Sequence, residues 1–363
     1  MDAGAGPKPE HNLRILFVPI SSQKGAGEYY RTLAIARNCQ RERPDWNLHC
    51  CINHAVEVER ADGVHYHELE ASPKRDEGKV RDIIRELRPQ VVVLDSVVRL
   101  PLLEEASATG ARIVYVSSRP RRRRVGFLLR NMRLIDEHWI VCAPEQQHLT
   151  LRERLLLWHP QAPRVRFMTA LTTEAKHERR EAFLGKQGFR EEHYVLFCSG
   201  GGGTRVDGQP AAEIFRDAAR RFHQETGFPT VFIAGPLSDI SLESTPGRLE
   251  LPAAPSRSFI DLLAGATLVV SGGGSILQQA LVLHTPCLAA NAGASDQPRR
   301  ISDYARKGLI ASSGTTVEAL ATGARELLAD EAARADLSGK SREAGFSNAA
   351  PRAVQHLEAL GNF

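Results

Sequence analysis

The stretch SFIDLLAGATLVVSGGGSILQQALVLHTPCLAANAGASDQ, Ser258 to Gln297, decides how the whole chain is read. Its apolar run Leu268 to Ser271 has the length of a buried strand, glycines follow at Gly272, Gly273 and Gly274, and the pattern from Ser275 is helical. A second apolar run, Cys287 to Ala290, completes a strand, glycine turn, helix, strand unit. From Leu262 to Ser295 there is no formal charge, which is long enough to raise the question of a membrane span. The three glycines, Gln278, Gln279, His284 and Pro286 interrupt the run, and its apolar pieces have strand and helix lengths, so a buried βαβ unit is the better reading.

The same alternation runs outward in both directions. In the first half, strands are predicted at Leu13 to Ile20, Asn47 to Ile52, Val64 to Leu69, Val91 to Asp95, Arg112 to Val116 and Trp139 to Ala143, with helices in the gaps, including Pro144 to Trp158. After a polar stretch around Thr172 to Arg190 the pattern restarts with strands at Tyr194 to Cys198 and Thr230 to Ala234. The expectation is an α/β protein of two Rossmann-like, doubly wound domains facing a central cleft. Residues 1–170 form the acceptor-binding domain and 171–363 the nucleotide-sugar-binding domain. A last helix over Asn348 to Leu360 would pack back on the first domain. With 363 residues and 42% hydrophobic content, there is material for two cores.

Composition excludes several classes. A net charge of +4 is too weak to argue for nucleic acid, and none is expected as a partner. The cysteines show no CxxC pair and no disulfide-framework spacing, which argues for a reducing cytoplasm and against zinc. The first dozen residues read as a loose leader without a secretory signal. His65 and His67 share one strand face and read as ordinary core or surface histidines. There is no GxxxxGK[ST] loop, against a nucleotide triphosphatase, and the GAGEYY loop after the first strand lacks the third glycine of a dinucleotide site.

Three glycine-rich loops follow strands and open towards helices: Gly25 to Gly27, Gly200 to Gly203 and Gly272 to Gly274. Glycine there lets the backbone approach a ligand, while free amides at the next helix start present partial positive charge, which suits a phosphate.

The Ser258 to Gln297 pattern resembles the donor-binding half of GT-B glycosyltransferases, and most of all the inverting N-acetylglucosaminyltransferase family that completes the lipid-linked peptidoglycan precursor (glycosyltransferase family 28). The SGGGGTR run, Ser199 to Arg205, is similar to the phosphate loop that opens the family's second domain, and Leu13 to Arg31 to its first strand and acceptor loop. The resemblance spans most of the chain, the second-half motif being its most specific part. It implies a metal-independent, inverting transfer of a hexose or N-acetylhexosamine from a nucleotide diphosphate donor, a UDP-sugar, to an acceptor hydroxyl, with no cofactor. On the donor side it implies Gly201, Gly202, Thr204 and Arg205 at the phosphates, Phe259 and Ile260 at the base, and Gly273, Gly274 and Ser275 at the diphosphate. Beside Gln278, Gln279 stands where the family has a ribose-binding glutamate, and Asp296 and Gln297 would bind the donor sugar's hydroxyls. On the acceptor side it implies Gly25, Gly27 and Arg31.

Glu28 replaces the family's histidine in the first loop and is the first candidate base; a helix-dipole partner is the alternative reading. Asp95, ending the VVVLDS strand, is the second candidate, with an N-cap or turn contact as its alternative. Arg119, Arg121 and Arg122, with Arg123 and Arg124, form a cluster that would hold an anionic or lipid-linked acceptor, lie on acidic lipid heads with Phe127, Leu128 and Leu129 dipping in, or remain a solvated loop. A peripheral position at the inner membrane face goes with that reading. Rival readings of the whole are a nucleotide-sugar hydrolase or epimerase, and a non-catalytic nucleotide-sugar-binding subunit.

Overall fold

The computed structural model describes residues 12–20, 27–56 and 58–361. In the first half the strands are β1 (Arg14–Pro19), β2 (Asn47–Asn53), β3 (Val64–Leu69), β4 (Val91–Asp95), β5 (Arg112–Ser117), β6 (Glu137–Val141) and β7 (Arg164–Met168). They form one parallel sheet in the order β3-β2-β1-β4-β5-β6-β7. Its helices are α1 (Gly27–Glu42), α2 (Glu77–Leu87), α3 (Leu100–Ala108), α4 (Pro120–Gly126), α5 (Leu129–Met132) and α6 (Leu151–Leu156).

After α7 (His177–Lys186) come β8 (Val195–Cys198), the small hairpin β9 (Arg205–Val206) and β10 (Gln209–Pro210), β11 (Thr230–Ile233), β12 (Arg248–Leu251), β13 (Leu268–Gly272), β14 (Cys287–Ala290) and β15 (Ala311–Ser312). Apart from the hairpin these make a second parallel sheet, β12-β11-β8-β13-β14-β15. Helices α8 (Ala211–Thr226), α9 (Ser256–Gly265), α10 (Ser275–Val282), α11 (Gln297–Arg306), α12 (Val317–Ala329), α13 (Glu331–Glu343) and α14 (Ala350–Gly361) complete the chain.

The strands are apolar because both sheet faces are covered. Val91, Val92, Val93 and Leu94 in β4, and Leu268, Val269 and Val270 in β13, are fully buried, which is why these segments read as unbroken hydrophobic runs and not as alternating ones. In both sheets the winding reverses beside the first strand, between β1 and β4 and between β8 and β13. Crevices at the carboxyl ends of such reversal points are where open α/β sheets bind ligands.

Several elements differ from the sequence reading. β7 (RVRFM) and β12 (RLEL) carry charges that hide their strand character; Arg166 pairs with Glu137 at 3.1 Å and Arg220 with Glu250 at 2.7 Å, so the charges sit in the sheet neutralised. The helix expected over Pro144 to Trp158 is broken into a short turn at Pro144–Gln146 and α6, whose start is fixed by a capping box between Thr150 and Glu153. The arginine cluster is helical, as α4, not a loop.

α14 docks on the first sheet. Ala350, Ala353, Val354, Leu357 and Leu360 lie in one apolar cluster with Ile15, Leu33 and Val93, and Arg43 grips Glu358 through Nε at 2.9 Å and Nη2 at 2.7 Å. Burying Val354, Leu357 and Leu360 stabilises this docking by roughly 1.5–3 kcal/mol each. Among the described residues no helix is long and apolar enough to cross a membrane.

Candidate functional site

In the second half, Gly272 ends β13 where a Cβ would fall 2.2 Å from the Ser199 carbonyl oxygen, so the loops after β8 and β13 are in backbone contact. Gly202 has a φ of +87°, and a Cβ there would come within 2.9 Å of the Ala234 carbonyl. A Cβ on Gly273 would meet Ile301 at 2.8 Å. These glycines are required by packing. A Cβ on Gly201 meets nothing within 4 Å, and one on Gly274 finds Gln297 Nε2 at 3.9 Å, so these two border open space. Gly274 is the N-cap of α10 and Ser275 is exposed, and among the described residues no side chain bonds the helix's first amides. That is the arrangement an anion binds.

The residues around this opening divide into open and occupied groups. Gln279 is half-buried one turn into α10 and has no side-chain partner among the described residues, whereas Gln278 bonds the Tyr304 hydroxyl. Thr204 is half-buried and its carbonyl closes onto the Ala211 amide at 2.9 Å. Arg205 folds back on the Gly208 carbonyl at 2.6 Å and serves the hairpin.

Both residues expected at the sugar hydroxyls already have partners within the fold. Gln297 is only 6% exposed and its Oε1 accepts from the Ala292 amide at 2.7 Å, so its carbonyl oxygen shapes the loop after β14 and is not free for a sugar hydroxyl. Asp296 is held by Arg300 at 2.6 Å, and the same guanidinium donates to the Gly273 carbonyl, a clasp the sequence reading missed although the Asp296/Arg300 spacing of four was visible.

The pair expected at the base, Phe259 and Ile260, lies in α9. Ile260 is 3% exposed and belongs to the core, and the Phe259 amide is given to the Pro255 carbonyl at 2.8 Å. Phe259 itself is half-buried at the core's edge. The start of α9 is filled from the first half: Glu59 accepts from the Ser256 amide at 2.6 Å and pairs with Arg37, which in turn reaches the Ser256 hydroxyl at 2.6 Å. Burial raises the Glu59 carboxyl, but the Ser256 and Arg37 bonds outweigh it and hold it below the ordinary glutamate range. Nothing in the VEVERADG loop signalled this latch.

On the first-half side, Asp95 ends β4 with no exposed surface. Arg31 meets it with two arms, Nε to Oδ2 at 2.8 Å and Nη2 to Oδ1 at 2.5 Å, and Ser96 adds a hydroxyl at 3.2 Å. Burial pushes the Asp95 carboxyl up and Arg31 only partly offsets that; desolvation disfavours the Arg31 charge, but Asp95 more than restores it. Both groups are raised, which favours a neutral acid at Asp95 but a charged Arg31, and the two-armed contact is the geometry of a carboxylate with a guanidinium that keeps its proton. Asp95 is therefore neither an available base nor a cap, and Arg31 is an anchor of α1 to β4, not a group free to hold an acceptor.

Glu28 stands one turn earlier, half-buried, with no side-chain partner among the described residues, and its charge acts on Arg31, Asp95 and Lys74. Gly27 is exposed with nothing among the described residues within 4 Å of a Cβ, while Gly25 lies outside the described residues. Of the arginine cluster, Arg119 and Arg121 are exposed and Arg122 is half-buried. Arg122 lies close enough to Lys74 and Arg99 that burial and these two charges lower the Lys74 ammonium to about 8. Lys74 and Arg99, not foreseen from the sequence, thus join Arg122 in a cationic group at the carboxyl ends of β3, β4 and β5. Phe127 is 4% exposed and packs on His138, which excludes it from any membrane contact.

No family model and no curated protein matches the sequence. Solved structures do resemble it across almost its full length. The spinosyn forosaminyltransferase SpnP aligns with a TM-score of 0.69 at 15% identity, over 97% of this chain and 100% of that one. Phytolacca americana UGT2, complexed with UDP-2-fluoro-glucose and pterostilbene, gives 0.65 at 11% identity over 97% and 100%. The calicheamicin glycosyltransferase CalG4 gives 0.60 at 14% identity over 96% and 98%. The chain has the two-domain GT-B fold of these glycosyltransferases.

Proposed function

We propose that this protein is a glycosyltransferase that moves a hexose or N-acetylhexosamine from a nucleotide diphosphate donor, a UDP-sugar, to an acceptor hydroxyl. The observation that carries the reading is the uncapped start of α10 beside the open face of Gly201, at the reversal point of the second sheet. The likeness to structures such as UGT2, which holds a UDP-sugar analogue, supports it. The finer likeness to the peptidoglycan N-acetylglucosaminyltransferase family rests on the Ser258 to Gln297 motif.

In this mechanism the diphosphate lies against the α10 amides and Gly201, and Gln279 bonds the ribose diol as an uncharged substitute for a carboxylate. The acceptor oxygen attacks the anomeric carbon from the face opposite the diphosphate and inverts it. Glu28 takes the acceptor's proton, and the anomeric C–O bond breaks with its electron pair passing to the diphosphate. Helix-start amides stabilise that leaving charge without a metal. Lys74, Arg99 and Arg122 favour an acceptor bearing a phosphate or carboxylate.

A thermal-shift screen of UDP, TDP, GDP and their sugars tests the reading, since a ligand at a hundredfold its dissociation constant stabilises by roughly 2.7 kcal/mol. A shift with UDP that Gly274→Val or Gln279→Ala removes is expected. Absence of any nucleotide shift overturns the donor site, and rapid release of free sugar without acceptor would make the protein a hydrolase.

A further inference from the structure

The chain crosses between its halves twice, near residues 170–172 and again near 347–349, after which α14 docks on the first sheet. Asn348 ties the two crossings together. Its Nδ2 donates to the Thr172 carbonyl at 2.8 Å, its Oδ1 accepts from the Thr172 amide at 3.1 Å, and the Ala349 amide reaches the Ala170 carbonyl at 3.0 Å. Two adjacent crossings form a pivot, so the angle between the halves is set by contacts away from it.

α1 makes such contacts. Arg41 meets Glu174 at 2.5 Å, and Arg37, one turn back on the same helix, reaches the Ser256 hydroxyl at 2.6 Å while pairing with Glu59. Glu59 in turn accepts from the Ser256 amide at 2.6 Å. The ties differ in burial. The side chains of Arg41 and Glu174 are 45% and 63% exposed, and those of Lys307 and Glu145, another cross-half pair, 45% and 31%; ion pairs so placed contribute little. The Arg37 side chain is 6% exposed, and a buried guanidinium parts from its partners only at a large cost. Arg37, Glu59 and Ser256 are therefore the polar tie that resists rotation of the halves.

α1 also carries Glu28, nine residues before Arg37, or about 14 Å along the helix axis. α9 in turn packs against α10. A helix held at Arg37 thus has its first turn fixed relative to the start of α10. We infer that Arg37 and Glu59 are positioning residues: clasped on the start of α9, they hold the halves at one angle and register Glu28 against the open start of α10. Glu28's part in the chemistry rests on the transferase reading; the clasp itself does not.

Ser256→Pro releases the clasp from the second half alone. It removes the amide and the hydroxyl but spares α9, because proline suits the first position of a helix and Pro255, at φ −51° and ψ 142°, already has the backbone that a residue before proline favours. Arg37 keeps Glu59, so no buried charge is left unpaired. Hydrogen exchange in residues 58–62 should quicken about tenfold or more, with β4 and β13 unchanged, and the radius of gyration from small-angle scattering should rise. In steady-state assays kcat should fall about tenfold to a hundredfold with the donor KM within about twofold, since a misplacement of about 1 Å can cost a hundredfold. Glu28→Gln combined with Ser256→Pro should be no slower than Glu28→Gln alone, which independent structural damage would not produce.

Unchanged exchange, or an unchanged radius of gyration, overturns the clasp. Faster exchange with an unaltered rate, or additive losses in the double variant, overturns the positioning of Glu28. A wild type that transfers sugar to no acceptor overturns the transferase reading instead, and exchange and scattering then decide the clasp by themselves.

Discussion

The two reversal points of this molecule share a topology and differ in chemistry. Between β8 and β13 the crevice is walled by glycines and helix-start amides, with Gly272 pressed against Ser199 and Gly274 left open. Between β1 and β4 it is built from charged side chains: the Arg31 and Asp95 pair, Glu28 with no side-chain partner among the described residues, and the cationic group around Lys74. A fold that twice places strand ends and helix starts together can thus wall one crevice with backbone and the other with charged side chains. The contrast also separates residues that hold a pocket's shape from residues that face its contents.

The sharpest way to break that contrast is Glu28→Gln. Transfer should slow by about a hundredfold to ten-thousandfold in steady-state assays, with the UDP thermal shift intact; an unchanged rate would mean that the first half does not supply the base. Asp95→Ala tests the opposite role. Leaving Arg31 buried without its partner should cost about 3–5 kcal/mol in a denaturant melt, and a small loss would return Asp95 to the list of accessible groups.

Within the glycine wall, Gly272→Ala should destabilise by about 1–3 kcal/mol through overpacking. Gly274→Ala should stay within about 0.5 kcal/mol. Equal losses would erase the distinction between packed and open glycines. The smallest effect concerns charge. Lys74 loses its proton as pH rises through about 8, well under the ordinary lysine value, because burial and the neighbouring arginines disfavour the ammonium. Binding of sulfate, whose charge is constant over this range, should therefore weaken several-fold across that pH and lose this step in Lys74→Met; a flat titration in the wild type would remove Lys74 from the anion site.

Much of the fold was legible because buried parallel strands leave a plain signal. VVVLD and TLVVSG read as strands without help, since both faces of each are covered. β12 escaped notice because Arg248 and Glu250 interrupt its apolar run, and only the sheet shows that Arg220 and Arg248 neutralise Glu250. The site was legible as a set of loops and not as a set of roles. Glycine spacing marks where a backbone bends, but whether that bend faces a neighbour, as at Gly202, or a cleft, as at Gly201, depends on atoms far away in sequence.

By itself, the sequence determined the two parallel arrays, the glycine turns at their strand ends and the placing of Glu28 in the first turn of a helix, because hydrophobic period and turn chemistry are local properties. Only the tertiary structure decided that Asp95 is closed by Arg31, that Gln297 braces its own loop, that Glu59 fills the start of α9 across the cleft, and that Phe127 is inside while Trp158 is outside. Each of these turns on which partner satisfies a charge, an amide or an apolar surface, and the partners are brought together by packing that no local pattern encodes.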